Sequence, residues 1–314
     1  MKKNLILGVV LVVLLAAIFV PRILPPAKNY PDTLGAVDSA AVDYMHIVFK
    51  ADSITLVKSG EDWFIDGSPR HPADPAQVGR VLQQCQKIDV IARTSDNKDL
   101  VDDTRFGLDA DNARFVELRQ GAKTVLDARF GKGSADFSNG FARLEGKEPV
   151  YRTASNLGSR FAPRRSIWLQ KQLFNMTPDT LRELSLTHAD GSREHYRWAD
   201  SLWVGEAFKA NGSMRFAESP LNESAFKSLL SGVARFRVTD LAPDSLVAGV
   251  DMASPELSAS FSDAGGGQHT VAWYRSPKAE NRLLCRVSGQ DSWYETYSGS
   301  LDPYKKDPAE LLQK

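Results

Sequence analysis

Histidines and cysteines are the first candidates for chemistry, because they bind transition metals and act as bases or nucleophiles. None of the histidines lies in an H-E-x-x-H motif, and none has a Cys or His neighbour at metal-ligand spacing. The five histidines are His46, His71, His188, His195 and His269. We therefore expect no metal site and no resident cofactor.

Other motifs with catalytic or ligand-binding precedents are incomplete. Gly131–Ser134 resembles the end of a phosphate-binding loop, but the first glycine of that motif would fall on Leu126. An acidic cluster lacks the D-x-[DN]-x-[DN]-G spacing of a calcium loop, which favours a solvated loop. Its members are Asp96, Asp99, Asp102 and Asp103. The sequence contains no G-x-S-x-G elbow and selects no catalytic residue.

One concentrated basic patch lies near the middle of the chain, among aromatic residues and a proline. Arginines beside exposed aromatics bind carboxylates, phosphates or acidic partners. The alternative is a solvated junction in which Trp168 packs between two halves of the chain. The candidates for a partner or anion contact are Arg160, Arg164, Arg165 and Trp168, with Lys171 nearby.

The elements that would position these residues occur twice. Residues 54–65 alternate around a glycine-containing turn, as a β-hairpin does, and residues 194–204 repeat the pattern. Each hairpin carries a tryptophan in its returning strand, Trp63 or Trp203, which we expect in the core. A helix follows each hairpin, with Asp74 or Asn222 as its N-cap.

The residues after the two caps also correspond between the copies. The i, i+3, i+4 spacing predicts one buried stripe on each helix, and a change to period two marks the next strand. The matched apolar positions are Val78, Val81, Leu82, Ile88 and Val90 in the first copy and Phe226, Leu229, Leu230, Phe236 and Val238 in the second. A Gly-x-Asp motif and several β-rich runs follow in each copy.

This duplication predicts an α+β fold with mainly antiparallel sheet and one principal helix in each of two tandem β-rich repeats. The predicted domains are a membrane anchor at 1–28, an extended tether at 29–45, a first repeat at 46–176 and a second repeat at 177–314.

Composition excludes several classes of protein. Hydrophobic residues make up 42% of the 314 residues and the mean hydropathy is −0.30, which excludes a disordered chain and a polytopic membrane protein. Basic and acidic residues number 39 each, so no positive field favours nucleic acid.

The N-terminus predicts a transmembrane helix. Lys2 and Lys3 precede the apolar run Leu5–Val20, and no small-residue cleavage site follows it. A cleaved signal peptide is the alternative. The positive-inside tendency sends the residues after Arg22 across the membrane. We expect a single-pass protein of the bacterial inner (cytoplasmic) membrane with an extracytoplasmic C-terminal domain.

The chain has two cysteines, Cys85 and Cys285. Each lies in an apolar pattern, which favours two small buried side chains. A disulfide between the two halves is the alternative in an oxidising compartment.

The combination of anchor, tryptophan hairpin, P-A-D helix start and G-L-D motif resembles a bacterial family of unknown function. Its members are often encoded beside ABC transporter genes and gliding-motility-type (GldG-like) auxiliary genes. The residues that carry the resemblance are Trp63–Ile65, Pro72–Asp74, Val78, Gly107–Asp109, Arg143, Leu144 and Tyr151. The second copy departs from it at Asn222 and Val250. The resemblance implies an extracytoplasmic accessory role near a transporter and supplies no catalytic residues.

These observations favour a non-catalytic accessory or interaction component of an envelope complex, with ABC transporter or auxiliary subunits as partners. Two alternatives stay open. One is an envelope hydrolase acting on glycan or peptide, which would need an acid beside a histidine or two close carboxylates in a pocket. The other is a small-ligand-binding protein with a concave site.

Overall fold

A computed structural model of the chain describes residues 10, 11, 13, 14, 28–95, 100–174 and 176–313. Most of the predicted anchor, together with Asp96 and Asp99 of the acidic cluster, lies outside these residues. Within the described ranges, no helix combines the length and the hydrophobicity that a membrane crossing requires.

The chain forms two compact units that are not contiguous in sequence. Unit one is Met1–Glu61 with Val78–Pro163, and unit two is Asp62–Gln77 with Arg164–Lys314. Unit two therefore takes residues 62–77 and 164–176, which the sequence assigns to the first repeat.

The elements up to residue 160 are mostly strands. They are β1 (Thr33–Ala36), β2 (Tyr44–Phe49), β3 (Asp52–Ser59), β4 (Asp62–Ile65), β5 (His71–Pro72), α1 (Pro75–Cys85), β6 (Lys87–Ser95), α2 (Leu100–Phe106), β7 (Arg114–Gln120), β8 (Lys123–Gly133), β9 (Gly140–Leu144), β10 (Val150–Thr153) and a 3-10 turn, Gly158–Arg160.

The remaining elements repeat this series. They are α3 (Arg165–Trp168), β11 (Leu181–His188), β12 (Arg193–Ala199), β13 (Leu202–Phe208), β14 (Met214–Pro220), α4 (Glu223–Ala234), β15 (Asp240–Leu241), α5 (Asp244–Val247), β16 (Leu257–Asp263), β17 (Gln268–Arg275), β18 (Arg282–Val287) and β19 (Trp293–Tyr297), with 3-10 turns at Pro178–Thr180, Ser298–Lys305 and Pro308–Leu311.

The strands of each unit pair antiparallel. In unit one the order is β1-β6-β10-β9-β8-β7-β2-β3, and in unit two it is β15-β19-β18-β17-β16-β11-β12-β13-β14. β4 pairs with β5 as β13 pairs with β14. Apart from β1, each strand of unit one corresponds to a strand of unit two at the same place in the order: β6 corresponds to β15, β10 to β19, and so on to β3 and β12. This is the order that the predicted duplication requires.

The helices bury the predicted stripes. Val78, Val81 and Leu82 of α1 are buried, and so are the equivalent residues of α4. Asp74 Oδ1 accepts hydrogen bonds from the N–H groups of Ala76 (2.9 Å) and Gln77 (3.1 Å). Asn222 Oδ1 accepts one from Ala225 N–H (3.0 Å). Both predicted N-caps are thus confirmed.

Two expectations need correction. The fold is mainly β, because α1 and α4 are the only α-helices longer than seven residues in the described part of the chain. Part of the predicted tether is folded: β1 pairs antiparallel with β6, and Leu34, Val37 and Val42 are buried. Burial of these three apolar side chains stabilises the early part of the chain against the sheet.

Candidate functional site

The four predicted contact residues divide between the units. Arg160 ends the 3-10 turn of unit one and is exposed. Arg164 and Arg165 are exposed in unit two, where Arg165 Nε lies 3.5 Å from Asp240 Oδ1. Trp168 is fully buried in unit two. Of the three residues in unit two, only the arginines are therefore available to a partner at the surface.

Trp168 ends α3, and an extended segment of unit two follows it. The Trp168 carbonyl accepts a hydrogen bond from Asp74 N–H (2.7 Å), and the carbonyl of Lys171 accepts one from Val238 N–H (2.9 Å). The segment therefore joins the backbone before α1 to the backbone after α4. Burial, and secondarily the charge of Arg165, lowers the pKa of the nearby His71. The position of Trp168 is thus explained by packing and backbone pairing.

Residues that carry the family resemblance have structural roles. Trp63 is buried, and Asp74 caps α1. Gly107 has a φ of 67°, and a Cβ there would lie 3.0 Å from the backbone nitrogen of Lys132. Arg143 Nη1 lies 2.5 Å from Asp103 Oδ1 in a buried ion pair. These residues maintain the fold and do not form a surface site.

A cavity of about 260 Å³ in unit two has aromatic walls, and we call it the tryptophan groove. Trp198 and Trp203 meet edge to face with ring centroids 5.9 Å apart, and Phe226 packs on Trp203 at 5.0 Å. Trp203 is buried, whereas Trp198 is 42% exposed. Four charged residues also line the groove: Asp179, Arg182, Glu223 and Lys227.

A second cavity of unit two, of about 510 Å³, contains an acid beside a histidine, and we call it the His188 cavity. His188 Nε2 lies 2.9 Å from Glu194 Oε1, and Tyr196 donates its hydroxyl to Glu194 Oε2 at 2.6 Å. Burial, and secondarily the charge of Glu194, raises the pKa of Tyr196. The phenol therefore stays protonated and holds the Glu194 carboxylate in place.

A third cavity lies in unit one, measures about 680 Å³, and we call it the polar cavity. Arg160 lines it, together with Lys87, glutamines of α1, Asn156, several serines and Phe137. None of its described lining residues is acidic. The cavity is therefore suited to a polar ligand with a negative charge.

Sequence reasoning missed Trp198, Glu194 and Phe137. For the first two a signal exists, because Glu194, Tyr196 and Trp198 alternate along β12 and share one face. A charged residue on that otherwise apolar face indicates a buried polar group. For Phe137 no pattern is available, since it lies in an irregular loop after β8.

Fold and cavities together define a duplicated, mainly β protein with candidate sites on each of its two units. The chain belongs to the family described as Domain of unknown function (DUF4340), whose sequence profile matches residues 63–256.

Comparisons with other proteins add no function. No curated relative matches this chain. Among solved structures, it is similar to the DNA polymerase sliding clamp from Pseudomonas aeruginosa at 11% sequence identity, with 87% of this chain and 69% of that chain covered. The TM-score is 0.14, a value too low to support any inference.

Proposed function

We propose that this protein is a membrane-anchored, extracytoplasmic and non-catalytic component of an envelope complex associated with an ABC transporter. The sequence of residues 1–28 supports the anchor, since Lys2 and Lys3 precede a long apolar run. The same charges support an inner-membrane location with the C-terminal units outside the cytoplasm.

The tryptophan groove is the observation that carries the interaction role. Trp198, which lines the groove, is 42% exposed near the β12–β13 turn. Large apolar side chains are costly to leave in water, and tryptophan and arginine are enriched among residues that dominate protein interfaces. Arg182 lies in the same groove. The arrangement supports a binding site for a partner protein.

The groove also suggests what the partner presents. Trp203, Phe226 and Leu230 form an apolar wall, so an apolar side chain of the partner would lose its contact with water there. Two acidic and two basic residues line the same groove, so both basic and acidic side chains of the partner could form ion pairs there.

Co-purification of the membrane-extracted, full-length protein tests this proposal. We expect transporter subunits to be recovered with the wild type and lost with Trp198→Ala. Tyr297→Ala is the matched control, because Tyr297 is also an exposed aromatic residue of unit two, at 54%. A variant with Arg164→Ala and Arg165→Ala tests the predicted basic patch separately. Recovery of no transporter subunit with the wild type contradicts the proposal.

A hydrolase is the second candidate, and the His188 cavity favours it. Glu194 is buried and touches His188, which is the pairing that orients a histidine as a general base. If Nε2 carries the proton donated to Glu194, Nδ1 is free to take a proton from water.

Turnover separates this candidate from the first. If the cavity is catalytic, the wild type hydrolyses a peptidoglycan or peptide library and His188→Gln abolishes the turnover. Loss of turnover in His188→Gln with an unchanged melting temperature would support catalysis. Equal turnover in both proteins, or none in either, contradicts it.

A further inference from the structure

We propose that the polar cavity of unit one binds a sugar that carries a carboxylate. This site goes beyond the proposed function and does not depend on it, because the tryptophan groove lies in unit two and its lining residues are different. Three features of the cavity carry the proposal: its hydrogen-bonding walls, a free cation and an exposed aromatic ring.

The walls are rich in neutral hydrogen-bonding groups. Gln83 and Gln84 come from α1, and Asn156 and Ser159 come from the loop after β10. Amides offer both donors and acceptors, and hydroxyls do the same. Such a mixture matches the hydroxyl and acetamido groups of a sugar ring, whereas a bare anion would use the donors alone.

The cavity also holds a cation that no described residue neutralises. The guanidinium of Arg160 makes no described hydrogen bond or ion pair, whereas Lys87 pairs with Asp89 at 3.0 Å. A guanidinium binds a carboxylate through two parallel hydrogen bonds. Arg160 therefore favours a ligand with a negative group.

Phe137 supplies an aromatic surface at the cavity. Its side chain is 76% exposed, and its backbone φ of 58° is unusual for a residue with a side chain. Hydrogen bonds fix the loop that carries Phe137. The Asp136 carboxylate accepts them from the hydroxyls of Ser134 and Ser138. These bonds lower the pKa of Asp136 to about 2. Apolar faces of sugar rings pack on aromatic rings placed in this way.

Glycines hold Asn156 in the cavity wall. A Cβ on Gly133 would lie 2.4 Å from Asn156 Nδ2, so a side chain there would displace the amide. A Cβ on Gly140 would lie 3.2 Å from Asn156 Cα. The backbone thus approaches Asn156 closely on two sides and limits where its amide can point.

Ligand-detected NMR on the purified full-length protein tests the site with a matched pair of sugars. The probe is the disaccharide of N-acetylglucosamine and N-acetylmuramic acid, which has one carboxylate. The control is N,N′-diacetylchitobiose, a neutral disaccharide with the same kind of linkage and acetamido groups. We expect the acidic disaccharide to bind at least about tenfold more tightly, a difference of about 1.4 kcal/mol, because its carboxylate gains charged hydrogen bonds from Arg160.

Variants decide whether binding occurs in this cavity. Arg160→Ala should remove the preference for the acidic sugar, and Phe137→Ala should lower the affinity for both sugars. Both side chains are exposed, so the fold should be unchanged, which a melting curve checks. Arg235→Ala and Tyr297→Ala, at exposed positions of unit two, are the matched controls and should bind like the wild type.

Several results would overturn the proposal. They are no binding of the acidic disaccharide to the wild type, equal affinity for both sugars, and affinity unchanged by Arg160→Ala and Phe137→Ala. Displacement of the disaccharide by inorganic phosphate at equal concentration would also overturn it, because a simple anion site would then explain the data.

Discussion

At the residue scale, Trp63 and Trp203 occupy equivalent strands of the two copies and are equally buried, at 7% exposure. Replacing either by alanine should lower the free energy of unfolding by about 3 to 5 kcal/mol, because the change removes buried apolar surface and leaves a cavity. Denaturant titration measures the loss. Trp198→Ala is the control and should lose much less, since its ring is 42% exposed. Wild-type stability in Trp63→Ala or Trp203→Ala would contradict the core assignment.

Both cysteines should be unreactive in the folded protein. Cys85 and Cys285 are free and buried, and burial raises the pKa of Cys85 to about 12 and that of Cys285 as well. A thiol reagent at pH 8 should therefore label neither residue until denaturant is added. Rapid labelling of the native protein, or a disulfide in a non-reducing digest, would contradict this.

Residue-level prediction from the sequence succeeded where a pattern repeats. The two core tryptophans are buried as expected, because each lies in the same place of a duplicated hairpin. The sequence does not show that Trp198, unlike the two core tryptophans, is exposed, because its exposure depends on where the neighbouring strands end. The contact between half-buried His188 and buried Glu194 is formed by strands β11 and β12, whose register a single sequence does not reveal.

At the element scale, the helix starts depend on their caps. Asp74→Ala and Asn222→Ala should each cost about 1 kcal/mol, because backbone N–H groups of the first turn lose their acceptor. Thermal unfolding followed by circular dichroism checks this. Asp74→Asn and Asn222→Asp keep an acceptor and should retain the stability. Equal melting temperatures for alanine variants and wild type would show that the caps contribute nothing.

An ion pair between Arg129 of β8 and Glu145, the residue after β9, should make stability depend on pH. Arg129 donates to both carboxylate oxygens of Glu145 at 2.7 Å, and these bonds lower the pKa of Glu145 in the folded state. Because this pKa is lower in the folded state, the ion pair stabilises the fold at pH values above the unfolded pKa of about 4.3. The stabilisation is lost as the pH falls through the folded pKa. The effect is small, since the Glu145 side chain is 38% exposed.

Glu145→Gln tests this pH dependence. Melting temperatures of the variant should be lower than those of the wild type at pH 7, and the difference should disappear well below pH 4. Glu61→Gln is the control, because the Glu61 side chain is exposed and makes no described ion pair. A difference between wild type and Glu145→Gln that persists at the lowest pH would point to lost packing and not to charge.

Elements were predicted best where a periodic apolar pattern extends over many residues. The stripes of α1 and α4 follow directly from the i, i+3, i+4 spacing. β1 was missed because its four residues, Thr33–Ala36, include a glycine and lie near several prolines. Its pairing with β6 depends on a partner more than 50 residues later, which local patterns do not encode.

At the scale of the whole molecule, duplication explains the fold. The two units share one strand order, so a single arrangement of strands around one principal helix serves twice. Single-sequence reasoning found the repeat but not the assignment of residues 62–77 to unit two. That assignment follows from pairings such as Ala73 with Leu169, which join distant parts of the chain.

The two copies differ at their candidate sites. The polar cavity belongs to unit one, whereas the tryptophan groove and the His188 cavity belong to unit two. Cavities depend on loops and exposed side chains, which vary freely while the buried stripes are kept. A duplicated fold can in this way support separate binding surfaces.

The most direct test of the proposed interaction role is site-specific photo-crosslinking in cells. A photoreactive amino acid replaces Trp198 in the full-length protein, and Tyr297 is replaced in the control. We expect a crosslinked adduct with an integral membrane subunit of a transporter at position 198 and none at position 297. No adduct at position 198, or the same adduct at both positions, would contradict it.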